Sequence, residues 1–105
     1  MPFDPNSTHD ITLAEAVKLT RNYRTHEGAG ATLGGAFGKD AILSIINQAA
    51  CTSLRIYYAL SDDGKKNFVL CGVDIIGNDL YNGHLAEYCF TCPPFCPQGS
   101  PLAGT

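Results

Sequence analysis

The chain has 105 residues, of which 45% are hydrophobic and 16% are charged. This length fits one domain, because two domains would each be too small to bury a self-supporting core without metals or disulfides. The composition excludes a largely disordered chain, which would carry more charge and fewer apolar groups. Seven Lys and Arg against ten Asp and Glu give a formal net charge of −3. The basic residues form no stripe that could neutralise phosphates, so we expect no nucleic-acid partner.

The sequence predicts a cytoplasmic protein without a membrane partner. The first residues show no basic start followed by an apolar run, and no stretch is long enough to span a bilayer. The five cysteines are an odd number and too few for a disulfide scaffold, so we expect reduced thiols.

All six prolines stand near the two ends of the chain, at positions 2, 5, 93, 94, 97 and 101. A region free of proline lets every backbone amide join a helix or a sheet. We therefore predict a single domain over residues 1–105, with an ordered core at about 10–92. Irregular flanks are expected at 1–8 and 93–105, the second of which is a tail rich in Cys and Pro.

Two helices are predicted in the first half. Thr12 and Glu15 have the spacing of a capping box, which starts an amphipathic helix from about Leu13 to Tyr23. A second, more apolar helix is expected at about 38–48 and should be the more buried of the two. The glycine-rich stretch 28–38 between them matches neither phosphate-binding glycine motif, so we interpret it as a flexible loop.

The central feature of the sequence is a β-hairpin, with strands at 54–60 and 67–73 joined by a turn that contains Asp63 and Gly64. Alternation places four apolar residues of the first strand on one face, which we expect to be the core face: Leu54, Ile56, Tyr58 and Leu60. A turn at 77–79 should lead to a third strand at 85–88. The predicted fold is α+β, with two N-terminal helices packed on a small antiparallel sheet of about three strands.

The least ordinary stretch is the cysteine cluster near the C-terminus. Cys89 and Cys92 have the spacing of a zinc knuckle, and Cys96 with His84 could complete a set of three thiolates and one imidazole. The same C-x-x-C pair could cycle through a disulfide, although neighbouring prolines disfavour the helix that usually activates such thiols. A third alternative is a nucleophilic cysteine with His84 as its base. The simplest alternative is two buried thiols and one exposed thiol.

Five short segments together resemble a group of small bacterial proteins usually labelled hypothetical. These segments are Asn22–Arg24, Phe37–Lys39, Arg55–Tyr58, Gly77–Leu80 and Cys92–Cys96. The resemblance extends over most of the chain and implies a small bacterial protein of one domain. It implies no activity, cofactor, partner or functional residue.

The function that these patterns favour is a non-enzymatic binding or interaction module for a protein or small-molecule partner. Both faces of the predicted sheet are apolar, so we also expect a homodimer that contacts through Tyr57, Val69 and Val73. The alternative is a zinc-binding or thiol-redox protein that uses the cysteine cluster. No cofactor is expected under the first interpretation, and zinc is expected under the second.

Overall fold

A computed structural model describes residues 3–105 of the chain. Within these residues the elements follow in the order α1 (Leu13–Glu27), β1 (Gly34–Ala36), α2 (Lys39–Ile46), β2 (Ser53–Leu60), β3 (Lys66–Val73), β4 (Leu85–Ala86) and β5 (Phe90–Cys92). The predicted α+β class with antiparallel strands is confirmed. The predicted single sheet is replaced by two small sheets, one of order β2-β3-β4 and one that pairs β1 with β5.

The chain divides into two compact units. Among the described residues, one contains 3–7 and Ala36–Cys89, and the other contains Thr8–Gly35 and Phe90–Thr105. The first unit holds α2 and the three-stranded sheet, and the second holds α1 and most of the small β1–β5 sheet. The single-domain interpretation of the sequence stays a prediction, and the two units are described separately below.

The predicted hairpin forms the centre of the first unit. Strands β2 and β3 pair antiparallel over eight residues each, from Ser53 opposite Val73 to Leu60 opposite Lys66. The connecting loop closes with a hydrogen bond of 2.9 Å from the Ser61 amide to the Lys65 carbonyl. Gly64 has a φ of 85° there, as the Asp-Gly pair predicts, because glycine adopts positive φ without a steric penalty.

Helix α2 packs against all three strands of this sheet. It supplies Ile45, which is 1% exposed, and the sheet contributes Leu70, Cys71 and Val73, each at most 3% exposed. In contrast, α1 has no buried residue. The expectation that α2 is the more buried helix is therefore confirmed. Ile45 is buried, and Ala41 and Ile42, which stand four and three positions before it on the same side of the helix, are half-buried.

Gln48, which follows α2, joins the helix to the segment after β3. Its Nε2 donates to the carbonyl of Ile45 at 2.8 Å, and its Oε1 accepts from the amide of His84 at 2.8 Å. Gly72 allows this region to approach the sheet. A Cβ at Gly72 would lie 2.9 Å from Sγ of Cys51 and 3.2 Å from Nε2 of Gln48, so glycine is needed here for close packing.

The second unit begins with α1, whose N-terminus is capped as predicted. Oγ1 of Thr12 accepts from the amide of Glu15 at 3.1 Å. The helix continues to Glu27, four residues beyond the predicted end, and closes at Gly28, which has a φ of 83°. Near that end, Nη1 of Arg24 donates to the carbonyl of Leu102 at 2.8 Å, which holds the C-terminal segment on the helix.

The remaining differences from the prediction concern short elements. The glycine-rich stretch was predicted to be a loop, yet Gly34–Ala36 forms β1 and pairs with β5. The predicted third strand is reduced to Leu85–Ala86. Residues 93–105 contain turns without a helix or strand, as expected from their prolines.

Candidate interaction surface

Strand β2 is one of the two outer strands of its sheet, and β4 is the other, so one side of the β2 backbone has no neighbouring strand there. In an antiparallel pair, the backbone groups of alternate residues point toward the partner strand. Because the amide of Ser61 bonds to the carbonyl of Lys65, the odd-numbered residues of β2 are those that face β3. The N–H and C=O groups of Leu54, Ile56, Tyr58 and Leu60 therefore point outward. We call these four residues the β2 edge.

The side chains of the β2 edge are more exposed than the sequence predicts. They were expected to form the core face, but Ile56 is 58% exposed, Tyr58 92% and Leu60 69%. Leu54 is half-buried, at the end of the strand opposite Gly72, where Cys51 and Gln48 approach. The expectation of a core face is therefore wrong for the outer three residues. The β2 edge thus combines exposed apolar side chains with N–H and C=O groups that have no partner strand.

The opposite face of β2 is occupied by a polar cluster centred on Asp79. Its Oδ1 lies 2.5 Å from Nη1 of Arg55, and its Oδ2 accepts a hydrogen bond from the hydroxyl of Tyr57. Nη1 of Arg55 also donates to the carbonyl of Gly77 at 3.3 Å. The thiol of Cys71, on β3, makes a small further contribution to the lowered pKa of this carboxylate. Asp79 thus connects the turn after β3 to the outer strand.

The electrostatics of this cluster keep the carboxylate charged. The hydrogen bond from Tyr57 lowers the pKa of Asp79, and the hydrogen bond and positive charge of Arg55 lower it further. The same bond to Asp79 raises the pKa of Tyr57. Burial raises the pKa of the Cys71 thiol. A lowered pKa makes Asp79 a weaker base, and a raised pKa leaves less of the Cys71 thiol as thiolate near neutral pH. The bonds from Arg55 and Tyr57 to Asp79 join β2 to the turn after β3.

The turn that carries Asp79 is the one that the sequence predicts. Oδ1 of Asp74 accepts from the amides of Ile76 and Asn78, each at 3.0 Å, and the amide of Gly77 donates to the carbonyl of Asp74 at 3.1 Å. Gly77 has a φ of 95° and lies against the ring of Phe3. Asp74 therefore fixes the backbone from which Asp79 extends over the sheet.

A shallow cleft of about 350 Å³ lies next to Asp79. It is lined by Gln48, Ala49, Asp79, Leu80, Tyr81, Asn82 and Gly83. Two of its polar groups are already engaged, since Gln48 bonds to two backbone groups and Asp79 to two side chains of β2. The cleft therefore offers fewer polar contacts to a ligand than its lining suggests.

The three cysteines of the predicted zinc site have other side-chain partners. Cys92 and Cys96 form a disulfide, which differs from the expectation of reduced thiols throughout. The Cys89 thiol donates to Oδ1 of Asn67 at 3.0 Å, and the amide of His84 donates to Gln48. Over residues 3–105, no group of three or more His, Cys, Asp or Glu side chains is placed to hold a metal ion. The zinc site stays a prediction for the reduced chain.

The homodimer surface predicted from Tyr57, Val69 and Val73 is partly covered by the chain itself. Val73 is 1% exposed, and Tyr57 bonds to Asp79. On β2 the most exposed apolar side chains are those of Ile56, Tyr58 and Leu60 on the β2 edge, which that prediction did not include.

No protein-family model, curated protein or solved structure matches the chain. The resemblance to small bacterial proteins therefore stays a prediction. Among the described residues, none of the helices has the length and apolar character required to span a bilayer.

Proposed function

We propose that the protein is a non-enzymatic interaction module that binds an extended polypeptide segment along the β2 edge. The observation that carries this proposal is the eight-residue outer strand Ser53–Leu60 with three exposed apolar side chains. Native proteins usually protect such an edge with proline, with exposed lysines, with a bulge or with a very short strand.

Strand β2 has none of these protective features. It contains neither proline nor lysine, and it pairs with β3 without interruption. Its single charge, Arg55, bonds to Asp79 on the opposite face. An added strand would gain backbone hydrogen bonds from the outward groups, and its alternate side chains would contact Ile56, Tyr58 and Leu60.

A peptide titration followed by NMR tests this function. The probe is a peptide of alternating Val and Thr, and the protein is kept at low micromolar concentration. We expect the amide signals of Ile56 and Tyr58 to shift, because their N–H groups face the added strand. The amides of Tyr57 and Ala59 face β3 and are internal controls. A peptide with proline at alternate positions cannot donate the same bonds and is the matched control. Shifts confined to another surface, or none, would contradict the proposal.

A thiol-dependent function is the second candidate, and the Cys92–Cys96 disulfide favours it. Cys92 is buried and Cys96 is exposed, so a reductant could reach one sulfur of the pair. We expect three titratable thiols in the unreduced, denatured chain, from Cys51, Cys71 and Cys89, and five after reduction.

Elemental analysis of protein purified without chelator or reductant tests the zinc alternative at Cys89, Cys92, Cys96 and His84. Stoichiometric zinc with protected thiols would support it.

We also propose that the protein is cytoplasmic. Three of its five cysteines are free, which is typical of a reducing compartment. The Cys92–Cys96 pair would then be reduced in the resting cell or would cycle between its two states. Fractionation of cells followed by trapping of free thiols distinguishes these outcomes.

A further inference from the structure

We propose that the segment bound at the β2 edge is β2 of a second copy of this chain, paired antiparallel about a twofold axis at Tyr57. This inference rests on the function proposed above, because it names the partner of the same surface. A twofold axis brings identical surfaces together, so each contact is made twice. An outer strand can satisfy this condition, since antiparallel pairing of two identical strands is symmetric.

The backbone restricts the possible registers. Only the even-numbered residues of β2 point outward, so a hydrogen-bonded pair between copies must join two even-numbered residues. Placing the axis at Tyr57 pairs Ile56 with the second copy's Tyr58, and Leu54 with the second copy's Leu60. This register uses all four outward residues of each strand. Moving the axis to Ile56 or Tyr58 uses only three.

The side chains are compatible with this register. On the exposed face, Ile56 of each copy would lie beside Tyr58 of the other, an aliphatic–aromatic pair of the kind that stabilises antiparallel sheets. On the opposite face, Arg55 would lie beside Ala59 of the second copy, so the two guanidinium groups are kept apart. The acidic residues Asp62 and Asp63 would be level with the uncharged Thr52 and Cys51.

The size of the contact predicts a weak dimer. One pair of eight-residue strands is at the lower end of specific interfaces, below about 1,200 Å² in total. We therefore expect a Kd in the range of about 0.1 to 1 mM. Each copy carries a net charge of −3, so added salt should strengthen association by screening the repulsion between copies.

Oxidative cross-linking tests the register. At the axis the two Tyr57 residues form a non-hydrogen-bonded pair, whose Cα atoms lie about 4.5 Å apart in antiparallel sheets. This distance suits a disulfide. We expect Tyr57→Cys to give a covalent dimer, with the 57–57 link identified by mass spectrometry after digestion. Ala59→Cys is the matched control on the same face, because its neighbour in this register is Arg55 and not a second residue 59.

Measurements on the unchanged chain make the test independent of these variants. Sedimentation equilibrium should show a dimer near 1 mM, and the amides of Ile56 and Tyr58 should become more protected from hydrogen exchange as concentration rises. Ile56→Lys should abolish both effects.

A dimer without the 57–57 link would overturn the inference. A monomer at that concentration that still binds the Val-Thr peptide would also overturn it but would leave the proposed function standing. A monomer that binds no peptide would remove both.

Discussion

Ile56 and Leu70 are direct neighbours on adjacent strands, yet Leu70 is 2% exposed and Ile56 is 58% exposed. Their side chains lie on the same face of the sheet, because residues opposite each other in an antiparallel pair share a face. Leu70 stands on the central strand, between β2 and β4, whereas Ile56 stands on the outer strand. The position of the strand in the sheet therefore decides which of two similar aliphatic residues belongs to the core.

The first prediction compares truncation of these two residues. Leu70→Ala should lower the free energy of unfolding by about 2 to 5 kcal/mol, because it removes buried methyl groups and leaves a cavity. Ile56→Ala should cost less than about 1 kcal/mol, because most of the side chain is in water. Urea unfolding at low micromolar concentration measures both, since association does not contribute there. Equal losses would mean that the β2 edge is covered.

The second prediction concerns Gly72. Gly72→Ala should destabilise the fold by about 1 to 3 kcal/mol, because the added methyl group would press on the sulfur of Cys51 in a packed region. Removing that sulfur makes room, so Gly72→Ala combined with Cys51→Ala should lose less than the sum of the two single variants. Gly34→Ala is the control, since no atom lies within 4 Å of a Cβ there. Additive losses in urea unfolding would rule out this contact as the cause.

The third prediction is that stability depends on the charge of Asp79. Hydrogen bonds from Tyr57 and Arg55 hold the folded pKa of Asp79 below the usual value of about 3.9 for an unfolded chain. The contribution of Asp79 to the free energy of unfolding is therefore complete above the unfolded pKa. It is lost as the pH falls through the lower pKa of the folded state.

Comparing urea midpoints at about pH 7 and about pH 3 checks this dependence. Asp79→Asn should lose stability near neutral pH and should respond less to acid than the parent chain. Asp63→Asn is a matched comparison, because the pKa of Asp63 is also lowered, chiefly by a hydrogen bond from Ser61 in the hairpin loop. If the parent chain and Asp79→Asn respond alike to acid, the cluster does not stabilise β2.

The fourth prediction tests Gln48. Gln48→Met keeps a similar volume but removes the donor to Ile45 and the acceptor for His84, so we expect a loss of about 1 to 3 kcal/mol. Hydrogen exchange gives a local measurement, because the His84 amide should lose its protection. The Gly77 amide, bonded to Asp74 in the neighbouring turn, should keep its protection. Unchanged exchange at His84 would show that water replaces the amide oxygen without cost.

Local sequence patterns predict the parts of this fold that depend on neighbouring residues. Thr12 and Glu15 identify the start of α1, and Asp63 with Gly64 identifies the hairpin loop. The register itself, with Leu60 opposite Lys66, was not predicted, because the predicted second strand began one residue later, at position 67. What alternation does not specify is which face of β2 is covered, because both faces carry apolar residues and the covering groups come from α2 and from Asp79.

The candidate surface was missed for this reason. Ile56, Tyr58 and Leu60 have the pattern of a core face, and only the position of β2 as the outer strand leaves them exposed. The Asp79 cluster was missed as well, since it joins residues 22 and 24 positions apart. Arg55 and Tyr57 on one face of a predicted strand are a usable signal, because a charged residue there needs a partner from elsewhere.

The contact between Arg24 and Leu102 has a consequence for the synthesis of the chain. The two residues are 78 positions apart, and the unit that contains them is assembled from Thr8–Gly35 and Phe90–Thr105. On the ribosome, α1 emerges long before the residues that bond to it, whereas α2 and the hairpin emerge as one continuous stretch. Domains generally fold in the order in which they are made. In this protein we expect a different order. Helix α1 is synthesised first, but it makes its contacts with the C-terminal segment only after the three-stranded sheet has formed.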